Sequence, residues 1–174
     1  AAALRRRGVR GPKLRVIENG VLLDRLDRPV TEAERDLWRR RIEWEPERRT
    51  VGIVARPKDQ AIVLAALDRI CTPIRLVLAG LDGPALTGPL PPLPPRHRVV
   101  RLPFLDDVRP LYDLLELVLH PSRWDALPQA VLEAMALGKP VIASRATGNA
   151  VIIRDGMDGL LVSPPDYAPG KAYP

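Results

Sequence analysis

Short runs rich in Val, Ile and Leu recur along the chain, separated by segments of helical periodicity, and this alternation is its strongest constraint on fold. Thr50–Ala55 (TVGIVA), Ile74–Ala79 (IRLVLA), Val99–Leu102, Leu117–His120 (LVLH), Val141–Ser144 and Leu160–Val162 read as strands. Leu14–Ile17, ended by the turn pair Asn19-Gly20, reads as another. Thr31-Glu32-Ala33-Glu34 is a capping box and predicts a helix from there to about Ile42. Residues 58–71 place Ile62, Leu64, Ala65, Leu67 and Ile70 on one helical stripe. A helix is expected from Asp106 or Asp107 to about Leu115. Another carries Pro128 in its first turn and Gly138 just past its end. Residues 81–97, proline-rich from Pro84 to Pro95, read as a loop of polyproline II character. Continuous rather than alternating apolar strands mean burial on both faces, so the expected fold is α/β: a Rossmann-like parallel sheet with helices on both faces. Ligands of such sheets sit at the carboxyl ends of the strands, here after Ala55, Gly80, Leu102, His120 and Ser144.

Composition narrows the function classes. A chain of 174 residues fits one domain or two small ones. With 46% hydrophobic and 28% charged residues it is neither disordered nor fibrous. Only 4% of residues are aromatic, so the core must be built from Leu, Val, Ile and Ala. Cys71 is the single cysteine and can form no internal disulfide or thiolate cage; His97 and His120 lie far apart, so no metal site is expected. No apolar run is long enough for a transmembrane helix, and the N-terminus has no apolar signal core. The expected location is cytoplasmic. The start at Ala1 without Met reads as a fragment of a longer chain.

The net charge of +6 lies wholly in residues 1–15, which hold Arg5, Arg6, Arg7, Arg10, Lys13 and Arg15 and no acid. The leader (residues 1–12) reads as a solvated segment or as one drawn to an anionic membrane surface at the inner face. A nucleic-acid partner is not expected, because Phe104 is the only Phe and stacking platforms are lacking. No Gly-x-Gly-x-x-Gly and no Gly-Lys-Ser/Thr loop is present, so the usual NAD and P-loop signatures are missing.

The segment Pro121-Ser122-Arg123-Trp124-Asp125-Ala126-Leu127-Pro128 leads from a strand straight into a helix N-terminus, where free N–H groups favour an anion. Glu133 lies on the second turn of that helix beside Ala130, Ala134 and Leu137. A carboxylate there needs a partner. Ribose hydroxyls could supply one; alternatively Glu133 faces water or pairs with an arginine. Asp125 either interacts with the helix end or accepts hydrogen bonds from a sugar while the amides of Ala126 and Leu127 hold it in place. Arg56 and Lys58 follow a strand's carboxyl end, as surface cations or as a diphosphate clamp. His120 ends a buried strand and reads as a packed core residue.

PSRWDALPQAVLEAMALGKPVIASRATGNAVIIRDGMDGLLVSPPD resembles the C-terminal half of the family 4 retaining glycosyltransferases of GT-B fold. VIENGVLLDRLDRP, VGIVARPKDQ and IRLVLAG fall in the order that family shows, and the resemblance covers about residues 13–166, with 167–174 as a tail. It implies one half of a GT-B fold, the half that binds a nucleotide-sugar donor such as a UDP- or GDP-sugar, with no cofactor and no obligatory metal. By resemblance Asp125 contacts the transferred sugar, Glu133 the ribose hydroxyls, and Arg56 and Lys58 neutralise the diphosphate, while Leu102 and Pro103 fall beside the base. The sequence departs from the family at Asp125, where Glu is usual. Ala55, Pro103 and Thr147 stand where Gly is usual, and Val151 where Glu is.

The chain is thus expected to be the donor half of a glycosyltransferase of the hexosyltransferase class, inactive without an N-terminal acceptor domain. One alternative is a degenerate domain that binds nucleotide sugars without transfer. Another is an interaction module using Pro91-Pro92-Leu93-Pro94-Pro95-Arg96, which fits Pro-x-x-Pro-x-Arg.

Overall fold

The computed structural model describes residues 17, 19–57, 59–146 and 148–163. The leader, residues 14–16 of the first expected strand, Lys58, Thr147 and the tail lie outside the described residues.

Six strands form one parallel sheet: β1 (Arg49–Val54), β2 (Ile74–Leu81), β3 (Arg98–Pro103), β4 (Leu117–His120), β5 (Val141–Ser144) and β6 (Leu160–Val162). The expected last three strands coincide with those observed, and the first three differ by a residue or two at their ends. The spatial order is β3-β2-β1-β4-β5-β6, a doubly wound, Rossmann-like order. The chain steps outward from β1 to β3, returns to lay β4 beside β1, and steps outward the other way. This reversal opens a crevice between the carboxyl ends of β1 and β4.

Seven α-helices connect the strands among the described residues: α1 (Leu23–Leu26), α2 (Glu32–Arg41), α3 (Gln60–Ala66), α4 (Gly83–Thr87), α5 (Arg109–Leu114), α6 (Gln129–Ala136) and α7 (Asn149–Ile152). The capping box forms as read: Glu34 N–H donates to Thr31 Oγ1 (3.2 Å) and Thr31 N–H to Glu34 Oε2 (2.8 Å). That bonding holds the Glu34 carboxyl below its ordinary range. Gly138, with φ of +67°, ends α6 in the left-handed region that favours glycine.

Burial on both faces follows from the strand sequences. Along β2, Leu76 and Leu78 point to one face and Val77 and Ala79 to the other, and all four are buried. The first face packs Val63, Leu64, Leu67 and Ile70 against Val51, Ile53, Leu76 and Leu78. The second packs Trp38 and Ile42 below α2, Leu111 and Tyr112 of α5, and Val131 and Ala134 of α6 against Val77, Val118 and Val141.

Several expectations are corrected. Ile17 is exposed and outside any strand. The helix of residues 58–71 is shorter: α3 is followed by a 3-10 turn at Leu67–Arg69, and Ile62 and Ala65 are exposed. The stripe that meets the sheet is Val63, Leu64, Leu67 and Ile70. The helix expected at Asp106 or Asp107 begins at Arg109, with Asp107 Oδ1 accepting from the Arg109 amide (3.1 Å). The proline-rich segment includes α4, because Pro84 sits in the first turn, where its missing N–H costs nothing. Arg96 of the Pro-x-x-Pro-x-Arg motif donates to the carbonyls of Ile70 (2.8 Å) and Asp68 (3.1 Å), and Leu93 packs on the core. Pro91, Pro92 and Pro95 of the motif are exposed.

Candidate functional site

At the crevice between β1 and β4 lies a cleft of about 460 Å³, within the size range of small-molecule sites. Its walls come from the carboxyl ends of four strands: Val54, Ala55 and Arg56 after β1, Ala79 and Gly80 on β2, Phe104–Asp106 and Val108 after β3, and His120, Asp125 and Leu127 after β4. Gln129, Ala130 and Glu133 of α6 close the remaining side.

Glu133 is half-buried, and no described residue pairs with its carboxylate. Burial raises its pKa above the ordinary 4.5. The alternative in which Glu133 pairs with an arginine is therefore not what the fold builds. Beside it Tyr112 donates its hydroxyl to the Ala130 carbonyl (2.9 Å). Burial, and next the charge of Glu133, hold Tyr112 above its ordinary pKa, so it stays a neutral donor.

The loop of residues 121–128 carries Asp125 and is held from several sides. Arg123 donates from its amide and its Nε to Asp59 (both 2.9 Å), tying the loop to the segment after β1. Asn19 Nδ2 donates to the Leu127 carbonyl (3.1 Å). The buried Ser144 hydroxyl donates to the Ser122 carbonyl, and Asn149 Nδ2 to the Ser144 carbonyl (2.8 Å). The Gly148 amide donates to the Asp125 carbonyl (3.0 Å). A Cβ at Gly148 would lie 2.6 Å from the carbonyl oxygens of both Asp125 and Ala126, so the loops after β4 and β5 meet only through a glycine. Asp125 Oδ2 lies 3.3 Å from His120 Nε2.

The fold thus brings Arg56, Asp125, Leu127 and Glu133 to one cleft. Lys58 lies outside the described residues. Ala126 is exposed, with its carbonyl against Gly148. Leu102 is buried in the core and Pro103 is exposed at the end of β3; on this side the cleft wall is made by Phe104, Leu105, Asp106 and Val108 instead. That wall has no signal in the sequence, whereas His120, expected as a packed residue, is indeed buried and also lines the cleft at its strand's carboxyl end. Arg56 is exposed and lines the cleft together with the acids Asp106, Asp125 and Glu133. Among the described residues no helix is long and apolar enough to cross a membrane.

Residues 48–171 match the family described as glycosyl transferases group 1. A GDP-mannose-dependent alpha-mannosyltransferase of Corynebacterium glutamicum is 32% identical over 128 residues, covering 71% of this chain and 30% of that protein. An uncharacterized glycosyltransferase of Methanocaldococcus jannaschii is 30% identical over 161 residues, covering 87% of this chain and 41% of that protein. In fold, the chain is similar to HepE of Anabaena, solved in complex with UDP-glucose: the TM-score is 0.75 at 23% identity, over 94% of this chain and 47% of that one. The chain spans less than half the length of each of these relatives. It belongs to the glycosyl transferases group 1 family.

Proposed function

We propose that this chain is the donor-binding half of a retaining glycosyltransferase and takes a nucleoside-diphosphate sugar into the cleft between β1 and β4. The observation that carries the reading is Glu133: a half-buried carboxylate with no partner among the described residues, on a helix that closes a cleft at the topological switch point. Ribose hydroxyls would supply the hydrogen bonds it lacks. Asp125 accepts from hydroxyls of the transferred sugar. Arg56, and by resemblance Lys58, neutralise the diphosphate as negative charge gathers on it, so the site needs no metal for that task. The GDP-mannose in one relative's name and the UDP-glucose bound to HepE set the first ligands to try. The acceptor is held by a partner domain.

A titration series tests this directly. The purified 174-residue chain is expected to bind UDP or GDP and the matching nucleotide sugar, and to transfer sugar to no acceptor. At a hundredfold excess of ligand over Kd, binding should add about 2.7 kcal/mol of stability, visible as a rise in Tm. Absence of binding to every nucleoside diphosphate would overturn the donor-site reading; transfer by the isolated chain would overturn the half-enzyme reading alone.

A further inference from the structure

We propose that His120 is a positioning residue for Asp125, helping to turn that carboxylate toward the sugar end of the cleft. Side chains on β4 alternate, so Val118 and His120 share the face packed by α6. Val118 lies within the core. His120, two residues further on, sits where the core opens into the cleft and is only 3% exposed. Its Nε2 is 3.3 Å from Asp125 Oδ2. An ionised carboxylate has no hydrogen to give, so the imidazole must donate, and the contact places a hydrogen on Nε2. The main chain of Asp125 is already fixed, its carbonyl accepting from Gly148 at 3.0 Å. The short side chain of Asp125 takes its direction from the groups it meets, and the imidazole at the cleft floor is one of them. A histidine in this place therefore acts on the sugar through Asp125 and not by its own contact.

The consequence for sugar binding rests on the donor-binding reading, whereas the pairing of His120 with Asp125 does not, and the experiment separates the two. In the full chain, calorimetry compares UDP with UDP-glucose and GDP with GDP-mannose for wild type, His120→Gln, His120→Asn and His120→Phe. Gln can donate from about the position of Nε2, and Asn only from about that of Nδ1. His120→Asn and His120→Phe should lose about tenfold or more of the affinity for whichever nucleotide sugar binds, the weight of one hydrogen bond to a charged group. Affinity for the bare nucleotide should stay within about twofold, and His120→Gln should retain the sugar's share. In an Asp125→Asn background, His120→Asn should cost nothing further. Equal losses for bare and sugar-bearing nucleotide, or an unchanged sugar share in His120→Asn, would overturn the proposal. Nitrogen-15 NMR of the ligand-free chain reads the pairing itself: the hydrogen is expected on Nε2, with a signal that moves on Asp125→Asn. A hydrogen on Nδ1 alone would also overturn it. Should wild type bind none of the four probes while the Nε2 signal responds to Asp125→Asn, the donor reading falls and the pairing stands.

Discussion

Glu133 is half out of water without a described partner, and this makes its charge costly until a ligand arrives. Its folded pKa lies above 4.5, so between those two values the native chain binds more protons than the unfolded one. Stability therefore falls as pH rises through that window. Glu133→Gln should match wild type below pH 4.5 and be level with it or more stable at pH 7, as melts at the two pH values would read. On the donor-binding reading the same change weakens UDP or GDP binding by about 1.5–3 kcal/mol, and leaves a deoxyribose analogue lacking the partner hydroxyl nearly unaffected. A loss of stability with unchanged nucleotide affinity would remove Glu133 from the site.

Among the elements, the loop of residues 121–128 depends on neighbours distant in sequence. Gly148→Ala places a methyl group 2.6 Å from two backbone oxygens, neither of which can rotate away. It should destabilise the chain by about 1–3 kcal/mol, the range for overpacking, and disturb Asp125 before any other cleft residue. Urea unfolding measures the first effect and nucleotide-sugar calorimetry the second. At the other end of the chain α2 is stopped from fraying by a local device, the Thr31–Glu34 box. Thr31→Ala should cost about 1 kcal/mol without altering ligand affinity. The two cases differ in legibility. The box involves residues three apart and was read from four letters. The Gly148 contact joins residues 22 and 23 positions apart, and no local pattern signals it.

Across the whole molecule, cover is unequal on the two sides of the sheet. Right-handed crossovers place the helices after β1 and β2 on one face and those after β3, β4 and β5 on the other. The first face of β4–β6 is left with little cover among the described residues. Leu119 and Ile142 are partly open there, and Leu160 and Val162 are more than half exposed. With Ile62 of α3, three of these residues, Leu119, Ile142 and Val162, line an apolar groove of about 300 Å³. The native chain should bind a hydrophobic dye at this groove. Leu160→Gln with Val162→Gln should lower the dye signal while changing stability by no more than about 0.5 kcal/mol per site, as surface substitutions do. Unchanged dye binding would place the exposed apolar surface elsewhere.

Local patterns in the chain specify the six strands, the capped helix, the glycine stop of α6 and the two carboxylates near one strand's carboxyl end. These are local: β-branched runs, helical periodicity and cap chemistry act between residues a few positions apart. Only long-range packing sets the order β3-β2-β1-β4-β5-β6 and hence that Arg56 and Glu133 line one cleft. It also brings Phe104–Asp106 rather than Leu102 and Pro103 to the wall, sets His120 against Asp125, and leaves one side of β4–β6 with little cover among the described residues. Strand order follows from crossover handedness and from which apolar faces meet at long range, and no window of sequence contains both partners of such a contact.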